Sequence, residues 1–240
     1  MTTNPLSIKL PDSSIKFVLF QRTEYLQNNF VYKTISLLER ANFLYNLSVS
    51  IKSFLFSSKI KEEFNKDMDK EFATLKSYLP SNATSILDIG CGVAGIDVLI
   101  SKKYNNKIDV FLLDKSHVDK KVYYGFEKRG SFYNSLDVAK QVLGNSGIDV
   151  TKIHTQEATD DNKILFEKKF DIVISLISWG FHYPISTYLD EVYNAMAING
   201  ILIVDIRKNT GDDKVLEKKF GKYEMILDAN KSLRVLARKL

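Results

Sequence analysis

The chain has 240 residues but one cysteine and four prolines, and its first 80 residues contain no glycine. The lone Cys91 excludes a disulfide framework and a cysteine-based zinc site. Four prolines and 11 glycines leave no room for a long disordered linker. The opening ten residues lack a basic stretch followed by an apolar core, so no signal peptide is expected. The most apolar early stretch, residues 41–56, is interrupted by Asn42, Asn46, Ser48, Ser50, Lys52 and Ser53. It is too polar and too short to cross a bilayer. These absences predict a cytoplasmic protein with no membrane span. Internal repeats and low-complexity tracts are also missing.

What is present fits one globular domain with a small appendage: 45% hydrophobic and 26% charged residues suffice for a full core. The net charge of +5 and pI of about 9.0 suit a nucleic acid or an anionic metabolite. Lys and Glu are mixed along most of the chain, however, so the excess reads mainly as solvated surface. Residues 1–80 read as helical. Phe64, Met68, Phe72, Leu75 and Leu79 form an amphipathic stripe that ends at Pro80. This predicts a helical cap, with packing favoured over a lid function, followed by a second unit over 81–240. From Ser85 onward strands and helices alternate, which implies βαβ units and a parallel sheet. Strands are expected at 85–89, 107–113, 149–154, 170–176 and 201–206, with helices at 95–104, 135–143 and 185–197. Two short runs, 223–227 and 233–238, predict a closing antiparallel hairpin.

The most informative stretch is Ile-Leu-Asp-Ile-Gly-Cys-Gly-Val-Ala-Gly-Ile-Asp, residues 86–97. An apolar strand ends in an acid, and a glycine turn leads into a helix. Gly90 permits the sharp turn, Gly92 lets a ligand approach the backbone, and Gly95 lets the helix pack close to the sheet. Free backbone N–H groups at the helix start would suit a carboxylate or phosphate. The Gly-x-Gly-x-x-Gly string alone fits a nicotinamide dinucleotide or S-adenosylmethionine equally. Asp88 tips the balance. At the end of the strand it would repel a pyrophosphate and accept from an ammonium.

Asp-x-Gly-x-Gly-x-x-Gly resembles motif I of the class I S-adenosylmethionine-dependent methyltransferases, and the closing hairpin is similar to the end of their sheet. The resemblance covers about residues 64–240. It implies an α/β, Rossmann-like, seven-stranded, mostly parallel sheet with a C-terminal antiparallel hairpin. It also implies S-adenosylmethionine as cofactor and S-adenosylhomocysteine as product. Asp88, Gly90, Cys91, Gly92 and Gly95 would form the cofactor turn. Asp114, at the end of the second strand, would take the ribose hydroxyls, as it would in a dinucleotide site. Gln156 or Glu157, after the third strand, would read the adenine. Ser175 and Trp179 would stand near the reacting methyl group.

The segment from Ser175 to Pro184 departs from the acid-Pro-Pro-aromatic pattern of enzymes that methylate DNA base amines. Cys91 is committed to the turn, which leaves no nucleophile for pyrimidine carbon-5 chemistry. No metal is expected. His182 is the candidate general base for a hydroxyl acceptor, with Tyr183 shaping the pocket. His117 is a second candidate base. It opens a long connection in which Lys120, Lys121, Lys128 and Arg129 interleave with Tyr123, Tyr124, Phe126, Phe132 and Tyr133. Such a loop could neutralise and stack a nucleotide or phosphorylated sugar. The reading is methyl transfer to an oxygen of a small anionic acceptor. A faint similarity of residues 178–184 to methyltransferases encoded among bacterial surface-glycan enzymes suggests a sugar or phosphoryl intermediate. The alternatives are an RNA methyltransferase, a non-catalytic binding or scaffold subunit of the same fold and, more distantly, a nicotinamide dehydrogenase.

Overall fold

The computed structural model describes residues 7–22, 25, 49, 51, 53–116 and 134–240. Seven strands form one sheet in the order β3-β2-β1-β4-β6-β8-β7. They are β1 (Ser85–Ile89), β2 (Asp109–Asp114), β3 (Ile153–Glu157), β4 (Phe170–Ser175), β6 (Met196–Arg207), β7 (Tyr223–Asp228) and β8 (Ser232–Arg238). The pairs β1–β2, β2–β3, β1–β4 and β4–β6 are parallel. Strand β8 runs antiparallel to both β6 and β7, so the closing hairpin is inserted with its last strand inward. An α/β sheet with one reversed strand is therefore the observed architecture.

Helix α1 (Ile15–Gln21) and helix α2 (Ser57–Leu75) precede the sheet. Helix α2 buries Phe64, Met68 and Leu75 of the expected stripe and also Ile60, while Phe72 is half-buried and Leu79 is buried beyond the helix end. Buried Asn65 accepts from the Ile8 N–H at 2.9 Å and donates to the Ile8 carbonyl at 3.0 Å, which ties the N-terminal segment to this helix. Helices α3 (Gly95–Lys103) and α4 (Leu136–Asn145) lie close to their expected positions. Strand β3 starts later than expected. The Asp149 side chain accepts from the Thr151 N–H and hydroxyl and holds Val150–Lys152 in a 3-10 turn. The expected helix over 185–197 is a 3-10 turn, Ile185–Thr187, followed by α5 (Leu189–Ala195). The turn expected at Asn199-Gly200 is a bulge within β6, where the pairing with β4 shifts register. Helix α6 (Asp212–Phe220) was not legible, because only Val215, Leu216 and Phe220 are apolar in it. Residues Ser178–Tyr183, expected as loop, form a short strand β5 beside β6.

Alternation along the strands divides the core into two layers. Ile86, Val110 and Ile172 face α1–α4, while Leu87, Ile89 and Val173 face α5 and α6. Asp88, two residues beyond Ile86, thus points to the α3 side. The two ends of the chain are joined by Arg234 on β8, which is 2% exposed, so its charge has to be matched inside the protein. Its guanidinium donates to both Asp205 carboxylate oxygens, at 2.8 and 2.7 Å, and to Glu71 and Thr74 of α2 at 2.8 and 2.7 Å. Removing one partner of such a buried cluster leaves an uncompensated charge. Arg234→Met is expected to cost about 3–5 kcal/mol of folding free energy in urea titrations. A loss below about 1 kcal/mol would show that the cluster is effectively solvated.

Candidate active site

A cavity of about 740 Å³ opens at the carboxyl ends of the parallel strands. Its floor is the glycine turn after β1. Gly90 and Gly92 have φ of 75° and 55°, values that glycine adopts without strain. Ala94 takes the same left-handed region at 57° just before α3. A Cβ at Gly90 would lie 1.8 Å from the Ser178 Oγ, and one at Gly92 would lie 2.6 Å from the Gln21 Oε1. A Cβ at Gly95 would lie 2.5 Å from the Phe64 ring and 3.0 Å from the Met68 sulfur. This corrects the role expected for Gly95: its closest approach is to α2, not to the sheet.

The expectation of free N–H groups in the turn also changes. The Gly90 N–H donates to the Leu113 carbonyl (2.7 Å), Gly92 to Asp114 (2.9 Å), Val93 to Gln21 (3.3 Å) and Ala94 to the Cys91 carbonyl (2.9 Å). These four N–H groups are tied into the protein, and the helix itself begins after them, at Gly95. Cys91 is buried, and burial followed by the nearby Asp114 charge pushes its thiol well up, so it stays a protonated packing group.

Asp88 lines the cavity and is 3% exposed. Burial, then the charge of Asp97, holds its carboxyl well above the usual range. Asp97 is fully buried in the first turn of α3, and neither of its oxygens has a hydrogen-bond donor among the described residues. Burial, the largest influence on it, raises its carboxyl above the usual range. Asp114 accepts from the N–H groups of Gly92 and Lys115 and from the Asn134 amide. These bonds partly offset its burial, and its carboxyl rises to about 6. The Asn134 amide also donates to the Gly92 carbonyl and accepts from Gln21. Neither Gln21 nor Asn134 stood out in the sequence, because each lies far from the turn in the chain.

Other expected site residues lie elsewhere. Gln156 bonds to the Lys163 carbonyl and the Leu165 N–H, and Glu157 accepts from the Ser116 N–H. The cavity wall there is Ala158, Thr159, Asp160 and Asn162. Trp179 is fully buried in the α5–α6 layer, with its indole N–H on the Ile185 carbonyl, and does not reach the cavity. Ser175 is buried and donates to the Ile89 carbonyl. Both are internal supports of the wall. His182, Tyr183 and Ser178 do line the cavity, with Tyr188 beside them. Burial pushes the Tyr183 phenol far up, so it is a proton donor, not a base. Ile177 holds a φ of 52°, strained for a branched residue, and its N–H bonds to Asp205. His117 and the basic aromatic loop lie outside the described residues. Among the described residues no group of three or more acids, histidines or cysteines could hold a metal ion.

Solved structures share this fold. The T. thermophilus 16S rRNA N2 G1207 methyltransferase RsmC, in complex with AdoMet and guanosine, matches over 70% of this chain and 42% of its own, at 12% identity and a TM-score of 0.50. PigF with SAH matches over 95% of this chain and 69% of its own, at 14% identity and a TM-score of 0.53. The fold is that of the class I methyltransferases. The chain spans less than half the length of RsmC. No family model and no curated protein matches its sequence.

The buried acids make stability depend on pH with a definite sign. Burial holds the Asp97 carboxyl of the folded protein above its unfolded value of about 4, so the folded state holds more protons as pH rises past that value. Stability therefore falls as pH rises from 5 to 8. Asp97→Asn is expected to flatten that slope and to raise Tm at pH 8 by about 3 °C or more in calorimetry. A lower Tm at pH 8 would contradict the assignment.

Proposed function

We propose that the protein is an S-adenosylmethionine-dependent methyltransferase. The observation that carries this reading is Asp88, a nearly buried carboxyl that faces the cavity and whose neighbours there, Asp97 and Asp114, are acids rather than cations. A buried acceptor of this kind calls for a cationic donor from a ligand. An α-ammonium meets that need and a pyrophosphate does not.

The residues present fit the cofactor. Asp88 would receive the ammonium, and Asp114, already oriented by Gly92, Lys115 and Asn134, would receive the ribose hydroxyls. Lys115, Ala158, Thr159 and Tyr188 would flank the adenine. When bound, the cofactor supplies an activated methyl group on a sulfonium, so the protein's main contribution is alignment. His182 would take the proton of a hydroxyl acceptor, and Tyr183, kept neutral by burial, would donate a hydrogen bond. Residues 1–80 would serve as a helical cap, a reading supported by Gln21, Phe64 and Met68 in the cavity wall.

The acceptor assigned is an oxygen of a small anionic molecule, with a sugar or phosphoryl intermediate as the candidate class. A cavity of about 740 Å³ that must also hold the cofactor favours a small acceptor. Arg22 lines the acceptor side, while the acid near it, Glu71, is neutralised by Arg234. An RNA acceptor is the second reading, favoured by the net charge of +5 and by the likeness to a 16S rRNA methyltransferase. Cofactor carrying a labelled methyl group, incubated with cell extract, separates the two. Label in a small nuclease-resistant anion supports the first, label in nuclease-sensitive polymer supports the second, and no label at all argues for a non-catalytic subunit. His182→Ala is expected to lower turnover about 100-fold or more with cofactor affinity unchanged; normal turnover removes His182 from the chemistry. Asp114→Ala is expected to weaken S-adenosylhomocysteine binding about 10- to 100-fold in calorimetry.

A further inference from the structure

Asp97 has no task in that reading. It lies in the first turn of α3, fully buried, with no donor for either oxygen among the described residues. An acceptor-only group buried in this way is expensive, and a helix position used only for packing would be better filled by an apolar side chain. The group that meets it is the Asp88 carboxyl, brought to the same side of the sheet by strand alternation. Two carboxyl groups face to face form a hydrogen bond only when one of them carries a proton. The pair is then a dyad with one proton and one charge.

We propose that Asp97 is a positioning residue that makes the Asp88 end of the cavity a proton-exchanging receptor for a primary ammonium. The proposal rests on the reading of the cavity as an S-adenosylmethionine site. When the ammonium enters beside Asp88, the O–H bond of the dyad breaks and the proton leaves to solvent. An ammonium N–H takes its place on the Asp88 oxygen. The dyad passes from one negative charge to two, and the incoming positive charge balances the proton released.

The surroundings favour this exchange. Burial, Asp97 and Asp114 all act to keep Asp88 protonated, and no cation offsets them. The cations around the cavity face other groups: Arg234 meets Glu71 at 2.8 Å, Lys115 meets Asp160 at 3.6 Å and Arg22 lies 5.8 Å over the Phe64 ring. His182 lines the opposite wall with Tyr183, and Cys91 stays protonated. The sign follows. Below the ligand amine's own pKa of about 8, each binding event releases about one proton. Above it, the incoming amine is neutral and takes the dyad's proton, so net release falls toward zero.

The test is calorimetric titration of the full chain at pH 7 in two buffers of different ionisation heat. S-adenosylhomocysteine is expected to release about one proton per molecule bound. 5′-Methylthioadenosine, which keeps the adenosine but lacks the amino acid, is expected to release almost none, which separates the dyad from Asp114. Asp97→Asn is expected to bind S-adenosylhomocysteine with release cut to a small fraction, because the amide donates to Asp88 and keeps it ionised. Equal release with the two ligands, or no release by the wild-type protein, overturns the proposal even if the variant fails to fold. Release by Asp97→Asn that equals the wild type also overturns it. Absence of binding by either ligand refutes the cofactor reading itself and the proposal with it.

Discussion

A carboxyl group that alternation forces into the interior, with no cation to meet it, is the constraint on which the site depends. Asp88 cannot turn to solvent, because β1 is buried along its whole length between β2 and β4. Four N–H groups of the turn that follows, those of Gly90, Gly92, Val93 and Ala94, are engaged elsewhere, by Leu113, Asp114, Gln21 and Cys91. Two outlets remain, a proton shared with Asp97 and a cation arriving through the cavity. The first is the resting arrangement proposed above, and the second is the proposed role of the cofactor's ammonium. A site that must wait for its counter-charge is less stable for it, which is the usual exchange between stability and binding.

The rest of the molecule holds that carboxyl in place. Gly95 lets α2 press Phe64 and Met68 onto the start of α3, so the helix carrying Asp97 cannot move away from the turn. On the other side, Arg234 joins α2 to β6 through Glu71, Thr74 and Asp205. Asp205 in turn grips the N–H of Ile177 in the strained wall of the cavity. The reversed strand β8 thus does more than complete the sheet. It places one guanidinium where α2, the sheet and the cavity wall meet, and that guanidinium also neutralises Glu71 in that wall.

Much of this was legible in the chain. The apolar run before Gly90 and the stripe through Phe64 and Met68 have periods that only strand and helix satisfy, so β1 and α2 could be read directly. The place of Asp88 and Asp114 in the cavity wall was legible because it follows from sequence distance to the glycine turn. Contacts made across long separations were not. Gln21 reaches the turn from 72 residues away and Asn134 from 42. Trp179 was misplaced because the sequence shows an aromatic after β4 but not that β5 turns it inward. Asp97 was passed over as an ordinary acid in a helix's first turn. Only its burial on the Asp88 side of the sheet distinguishes it from a residue that complements the helix dipole.

The central claim is that this cavity takes S-adenosylmethionine, with Asp88 and Asp114 at its two poles. The most direct measurement is ultraviolet crosslinking of radiolabelled S-adenosylmethionine to the full chain, with the labelled peptides mapped. The account predicts label competed away by S-adenosylhomocysteine and confined to peptides that line the cavity, around residues 88–95, 113–116, 158–162 and 182–188. Label that resists competition, or that falls on other parts of the chain, would contradict it.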